Sequence, residues 1–144
     1  MASIYQTAAR PVKQLPMTKE EQALRVQLAA AYRIFDMLDW TQLIFNHITL
    51  RVPGPEPRFL INPFGLRYNE ITASSLLLID LNGNLLRDSE WPVNRAGFII
   101  HSAIHASVPE AHCVMHTHTT TGSAVACLWD GVSPDNFYGA MLHN

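Results

Sequence analysis

Leu24, Leu28, Ala31, Phe35 and Leu38 recur in alternating steps of four and three, so they fall along one stripe of a helix facing a core. Ahead of them, Thr18 and Glu21 have the spacing of a capping box, which predicts a helix over residues 19–38. From Thr41 the period shortens toward two. Asn46 to Val52 alternates in polarity, the Pro-Gly-Pro-Glu-Pro segment turns, and Arg58 to Ile61 returns, which is the pattern of a hairpin. Ala73 to Asp80 and Leu81 to Leu86 predict a second hairpin, turned at Asn82-Gly83. Phe98, Ile99, Ala103 and Ile104 at helical spacing predict a helix from Arg95 to Ser107, which Pro109 stops ahead of a short strand at Cys113 to His116. A last helix is expected to begin near Thr119 to Gly122 and run through Cys127. Residues 1–17, with Pro11 and Pro16 and no sustained apolar period, read as an N-terminal arm that frays or packs on a neighbour. Residues 18–144 read as one mixed α/β domain, with helices covering a largely antiparallel sheet.

Composition narrows the function classes. A hydrophobic share of 48% with 15% charged residues is too apolar for a disordered chain and supports a folded core. The net charge of −2 supplies none of the basic field on which nucleic-acid binding relies. No apolar run approaches the roughly 20 residues that span a bilayer, and the N-terminus lacks the apolar core of a signal peptide, so neither nucleic acid nor membrane is an expected partner. Cys113 and Cys127 are too few for a disulfide framework and form no CxxC pair, which fits a reducing cytoplasm.

The chemistry concentrates in the histidines. His116 and His118 stand two apart at the end of the apolar run Cys113-Val114-Met115, and on a strand positions i and i+2 share a face, so both imidazoles can converge on one ion. Neutral imidazole is a favoured zinc ligand, and catalytic zinc commonly has three protein ligands and an open position. The alternative is a polar strand end whose histidines face solvent or satisfy backbone groups. His101 and His105, four apart without the glutamate of an HExxH frame, read as a polar helix stripe, and His47 and His112 as structural or exposed. Cys113, inside its apolar run, is expected to be a buried, inert thiol. Phosphate-binding glycine motifs of the dinucleotide and P-loop types are absent.

Several segments together resemble one family, the class II aldolase and adducin head-domain superfamily. They are Phe45 to Arg51, Phe59 to Leu66, Glu70 to Leu76, Asn94 to His105 and Cys113 to Thr119. The resemblance implies a three-layer α/β/α fold, a homo-oligomeric and tetrameric habit, and a divalent ion, usually zinc, bound by three histidines. His116 and His118 match two of these. The third comes in the family from a strand well downstream, so it would lie beyond Asn144. The chain is therefore expected to be the N-terminal portion of a longer domain, to hold metal weakly with water completing the coordination, and to associate through exposed apolar surface.

Asn46 and Gly65 match two positions of the family's phosphate-binding loops and are the candidate substrate contacts, although turn and capping roles are open to both. The aldolase glutamate that moves the proton is missing from Asn94 to Phe98. Glu90, in a locally similar segment several residues upstream, is the remaining catalytic candidate. These departures place the chain closer to the adducin-like bacterial branch than to a standard sugar-phosphate aldolase. Two readings follow: a metal-dependent aldehyde-lyase that acts on a small hydroxy-carbonyl, sugar-derived substrate by Lewis-acid stabilisation of an enediolate, or a non-catalytic adducin-like binding or assembly module.

Overall fold

The computed structural model describes residues 15–143. In chain order the elements are α1 (Lys19–Met37), β1 (His47–Arg51), β2 (Arg58–Ile61), β3 (Leu77–Asp80), α2 (Arg95–Ser107), β4 (Cys113–His116), α3 (Thr120–Ala126) and α4 (Phe137–Leu142). Most of the expected N-terminal arm lies outside the described residues. At its end, the Leu15 carbonyl accepts hydrogen bonds from Arg87.

The four strands form one antiparallel sheet in the order β3-β2-β1-β4. Alternation along the strands sends their side chains into two separate cores. Ile48, Leu60 and Leu78 meet Leu28, Ala29 and Tyr32 of α1 on one face, while Phe59, Ile61, Leu77 and Ile79 pack with Phe98 of α2 on the other. The chain therefore has the expected three layers, α/β/α. Tyr32 ties the first two together, because its buried hydroxyl donates to the Ile48 carbonyl and accepts from the backbone N–H groups of Ile48 and Asn62.

In α1 the expected stripe holds except at its end, for Leu28 is buried and Leu24 and Phe35 pack against the same core, but charged residues join it; α2 departs from its stripe further. In α1 the buried residues are Glu21, Arg25, Leu28, Ala29 and Tyr32, while Leu38 caps the helix and is exposed. The capping box is half formed. Thr18 Oγ1 accepts the Glu21 N–H at 3.0 Å, but the Glu21 carboxylate turns to Arg25 at 2.8 Å and Arg87 at 2.6 Å, two cations that compensate its burial. In α2 the buried residues are Gly97, His101 and His105, whereas Ile99 and Ile100 face outward. His101 and His105 do form one helical stripe, and it lies against the sheet.

Two further expectations are corrected. The second hairpin closes at Gly83, whose φ is +79°, but residues 81–86 return only as an isolated bridge between Leu85 and Ile79, because Asp80 holds the turn through Asn82 and Asn84. Residues 73–75 are turn, so β3 begins at Leu77. Cys113 is exposed rather than buried, since β4 is an edge strand of the sheet. The last expected helix is α3, capped by Thr119 and Cys127, and α4 follows it unforeseen. Beyond α3, Trp129, Phe137, Tyr138 and Leu142 are largely exposed. No helix among the described residues is long and apolar enough to cross a membrane.

Candidate metal centre

The antiparallel register decides which side chains can meet. His47 pairs with His116 across β1 and β4, and Thr49 pairs with Ile61 across β1 and β2. The start of β1, the end of β4 and the segment after β2 therefore share one end of the sheet. His47 and Thr49, two apart on β1, both face α2, where His101 and His105 lie one turn apart.

The result is a continuous line of imidazoles. His105 Nδ1 donates to the Ala111 carbonyl at 3.1 Å, and its Nε2 lies 2.9 Å from Thr49 Oγ1. Thr49 Oγ1 is 2.7 Å from His101 Nδ1, and His101 Nε2 is 2.8 Å from His47 Nδ1. His47 Nε2 is 3.2 Å from His116 Nδ1, and the Nε2 atoms of His116 and His118 stand 3.1 Å apart. At the far end His118 Nδ1 donates to Gln42 Oε1 at 2.6 Å, and the Gln42 backbone N–H donates to Asn46 Oδ1 at 2.5 Å.

This environment keeps the inner rings neutral. Burial, reinforced by His116 and His118, lowers His47 from 6.5 to about 4. Burial, with its histidine neighbours, lowers His101 to about 3. His105 is lowered by burial and by the Arg51 guanidinium, which caps the C-terminus of α2 by donating to the His105 carbonyl at 2.6 Å. His116 is lowered by burial and by His118.

The two Nε2 atoms at 3.1 Å are the feature that fits a cation. With Nδ1 of His118 donating to Gln42, its other ring nitrogen is the one turned toward His116. Two nitrogen ligands at zinc distances of about 2.0–2.1 Å on one tetrahedral ion sit roughly 3.3 Å apart. The spacing suits a divalent ion, and Gln42 supplies the outer hydrogen bond that metal-ligating histidines make. The pair provides two donors. No group of three or more His, Cys, Asp or Glu placed to hold a metal ion occurs among the described residues.

The other sequence candidates divide. Asn46 is brought to the histidines through Gln42, is fully buried, and has an Nδ2 group without a hydrogen-bond partner. Gly65 lies beyond β2 at the same end of the sheet, with φ +99° and open space where a β-carbon would stand. It is related to the pair by strand register rather than by a contact. Glu90 is exposed and lines a surface cleft with Glu70, Ser75, Asp88 and Trp91, and none of the clustered histidines lines that cleft. His112 is exposed, as expected of an isolated histidine.

His47, Thr49, His101, His105, Gln42 and Gly97 are the site residues that sequence reasoning missed. The available signal was the conflict in α2, where polar residues occupy the helix face that packs against the sheet. Gly97 belongs with them because a β-carbon there would fall 2.7 Å from His47 Cγ, so its absence lets α2 approach β1.

Fold and site together describe a three-layer domain with a histidine pair at one end of its sheet. Residues 26–144 match the model of the Class II Aldolase and Adducin N-terminal domain, and the chain belongs to that family. A Caulobacter vibrioides protein provisionally named as a class 2 aldolase is 48% identical over 118 residues, which cover 82% of this chain and 46% of that protein. Alpha-adducin of Rattus norvegicus is also 48% identical over 118 residues, covering 81% of this chain and 16% of the adducin. Among solved structures, an aldolase II superfamily protein from Pseudomonas syringae superposes with a TM-score of 0.83 at 43% identity, over 88% of this chain and 52% of that one. An L-fuculose 1-phosphate aldolase from Glaciozyma antarctica gives 0.74 at 33% identity, over 85% and 52%. The chain thus spans about half the length of the Caulobacter relative, and it is nearer in sequence to adducin than to that sugar-phosphate aldolase.

Proposed function

We propose that this protein is a metal-dependent, aldolase-like carbonyl enzyme acting on a small hydroxy-carbonyl substrate of the sugar-derived kind. The observation that carries the reading is the 3.1 Å approach of His116 Nε2 and His118 Nε2, a divalent-cation spacing. These two residues would hold the ion, most plainly Zn²⁺, with the remaining coordination from water, substrate and a third histidine beyond Asn144. When bound, the ion supplies Lewis-acid polarisation of hydroxyl and carbonyl oxygens, which favours the enediolate left by carbon–carbon cleavage.

The chain's own residues prepare that end of the sheet. Gln42 orients His118 and His47 orients His116. Asn46 contributes an amide donor without a partner, suited to a substrate oxygen, and Gly65 leaves its backbone N–H approachable by an anion. A homo-oligomer, tetrameric by family resemblance, would cover the exposed apolar surface around Trp129 and Phe137. A cytoplasmic setting accords with two free, exposed cysteines.

A second reading is favoured by one observation. His116 bonds to His47 and His118 to Gln42, and among the described residues no carboxylate is hydrogen-bonded to either ring to move a proton. This suits a non-catalytic, adducin-like assembly module. Isothermal titration of the full chain with Zn²⁺, repeated with His116→Ala and His118→Ala, tests the ion. An assay for aldehyde release from hydroxy-carbonyl sugar phosphates tests the chemistry. Zinc binding that both substitutions abolish, together with turnover, supports the enzyme. Binding without turnover supports the module, and binding unaffected by either substitution removes the metal reading.

A further inference from the structure

We propose that the line from the Ala111 carbonyl through His105, Thr49, His101 and His47 fixes the tautomer of His116, leaving its Nε2 as a bare lone pair aimed at the one on His118. The residues of the line are positioning residues. The inference builds on the metal reading above, and it concerns the protein before any ion binds.

The direction of every hydrogen bond follows from one end. A carbonyl oxygen only accepts, so His105 Nδ1 carries the proton in the 3.1 Å bond to Ala111. A neutral ring has one N–H, which makes His105 Nε2 an acceptor, and the Thr49 hydroxyl must donate to it. Having spent its single proton there, Thr49 Oγ1 accepts from His101 Nδ1 at 2.7 Å. His101 Nε2 is then bare and accepts from His47 Nδ1 at 2.8 Å. His47 Nε2 is bare in turn and accepts from His116 Nδ1 at 3.2 Å, so the remaining nitrogen of His116 has no proton. From the opposite end, Gln42 Oε1 gives His118 the same tautomer. The 3.1 Å gap between the two Nε2 atoms therefore holds two lone pairs, a place made for a cation.

Burial makes this ordering stiff. His47, Thr49, His101 and His105 are each at most 3% exposed, so water cannot substitute for a lost partner. Reversing any one ring leaves two donors or two acceptors facing each other. Thr49 is the pivot because a hydroxyl can give one proton and take another at a single atom. If that atom is removed, His101 is released from its orientation, and with it the ring order that reaches His116.

The test begins with long-range ¹⁵N–¹H imidazole spectra of the full chain, freed of metal by chelation, at pH 7.5. The expected result is the Nδ1–H form for His47, His101, His105 and His116, a form that is the less populated one in free histidine. An Nε2–H signal from His116 would overturn the proposal without reference to any variant. Titration with Zn²⁺ alone then compares Thr49→Val with Thr49→Ser. Val should weaken zinc by about 10-fold or more, and Ser, which keeps the hydroxyl, should restore it. A folded Thr49→Val protein with unchanged zinc affinity would also overturn it, whereas failure of Val to fold leaves the wild-type spectrum decisive. If wild-type protein shows the expected tautomers and takes no zinc, the metal reading fails and the tautomer assignment stands.

Discussion

Gly97 sits so close to His47 that an added β-carbon would lie 2.7 Å from the imidazole Cγ. Gly97 is in the first turn of α2, where alanine would ordinarily be favoured over glycine by roughly 1 kcal/mol. The contact reverses that sign. The Gly97→Ala variant is expected to lose about 1–3 kcal/mol of stability, the usual cost of overfilling a packed interior, as measured by urea denaturation. It should also shift the imidazole resonances of His47 and His116 together. Stability equal to or above wild type would show that His47 can move aside freely.

The Glu21 carboxylate is the second buried device. Burial alone would raise its pKa, but the Arg87 and Arg25 guanidiniums that bond to it outweigh burial and hold it below 4.5. Glu21→Gln leaves two arginines without their anion, one of them, Arg25, buried, and should cost about 3–5 kcal/mol. Because Glu21 joins α1 to the Arg87 segment, trypsin cleavage at Arg87 in the folded variant should accelerate as well. A loss below about 1 kcal/mol would mean that the pairing behaves as a surface ion pair.

Stability should fall with acid in two stages. His47 and His101 have native values depressed to about 4 and about 3 from 6.5, so between these limits the unfolded chain binds more protons than the folded one. Their contribution is complete above pH 6.5 and is lost as the pH drops toward the native values. Glu21, also depressed, contributes above 4.5 and is lost only as the pH falls through its lowered native value. Urea midpoints should therefore begin to decline near pH 6.5 and steepen below 4.5. His101→Asn should flatten the first decline and leave the second. A flat profile between pH 6.5 and 5 would contradict the buried neutral cluster.

The three layers were legible because they rest on local period. Alternation on β1 and β2 and the four-three steps of α1 are properties of neighbouring residues, and the same is true of the His116-Thr117-His118 spacing. What was hidden depends on pairing across the chain. His47 and Thr49 are 54 and 52 residues from the His101 they touch, and nothing near either one announces the other. Glu21 and Arg25 were obscured for a related reason: charged residues are expected outside, and their burial makes sense only once Arg87, 66 residues on from Glu21, is brought to them. In α2 the apolar spacing misled in part: Phe98 packs into the core, but Ile99 and Ile100 face away from the sheet while the histidines occupy the face against it.

Gln42 offers the cleanest solution test of the pair, since it is exposed and its side chain meets His118 at 2.6 Å. An acceptor at Nδ1 fixes the ring and makes the opposite nitrogen a better ligand, and a carboxylate does this more strongly than an amide. Gln42→Glu keeps the acceptor in nearly the same place, so it should raise zinc affinity several-fold with little change in stability. Gln42→Ala removes it, and affinity should fall by about 10-fold. The amide N–H of Gln42, which donates to Asn46, is retained in both variants, so the loop that carries it stays anchored. Competition with a colorimetric zinc chelator reads both changes on one scale. If the two substitutions move affinity in the same direction, His118 does not bind through Nε2, and the pair is not the ion's site.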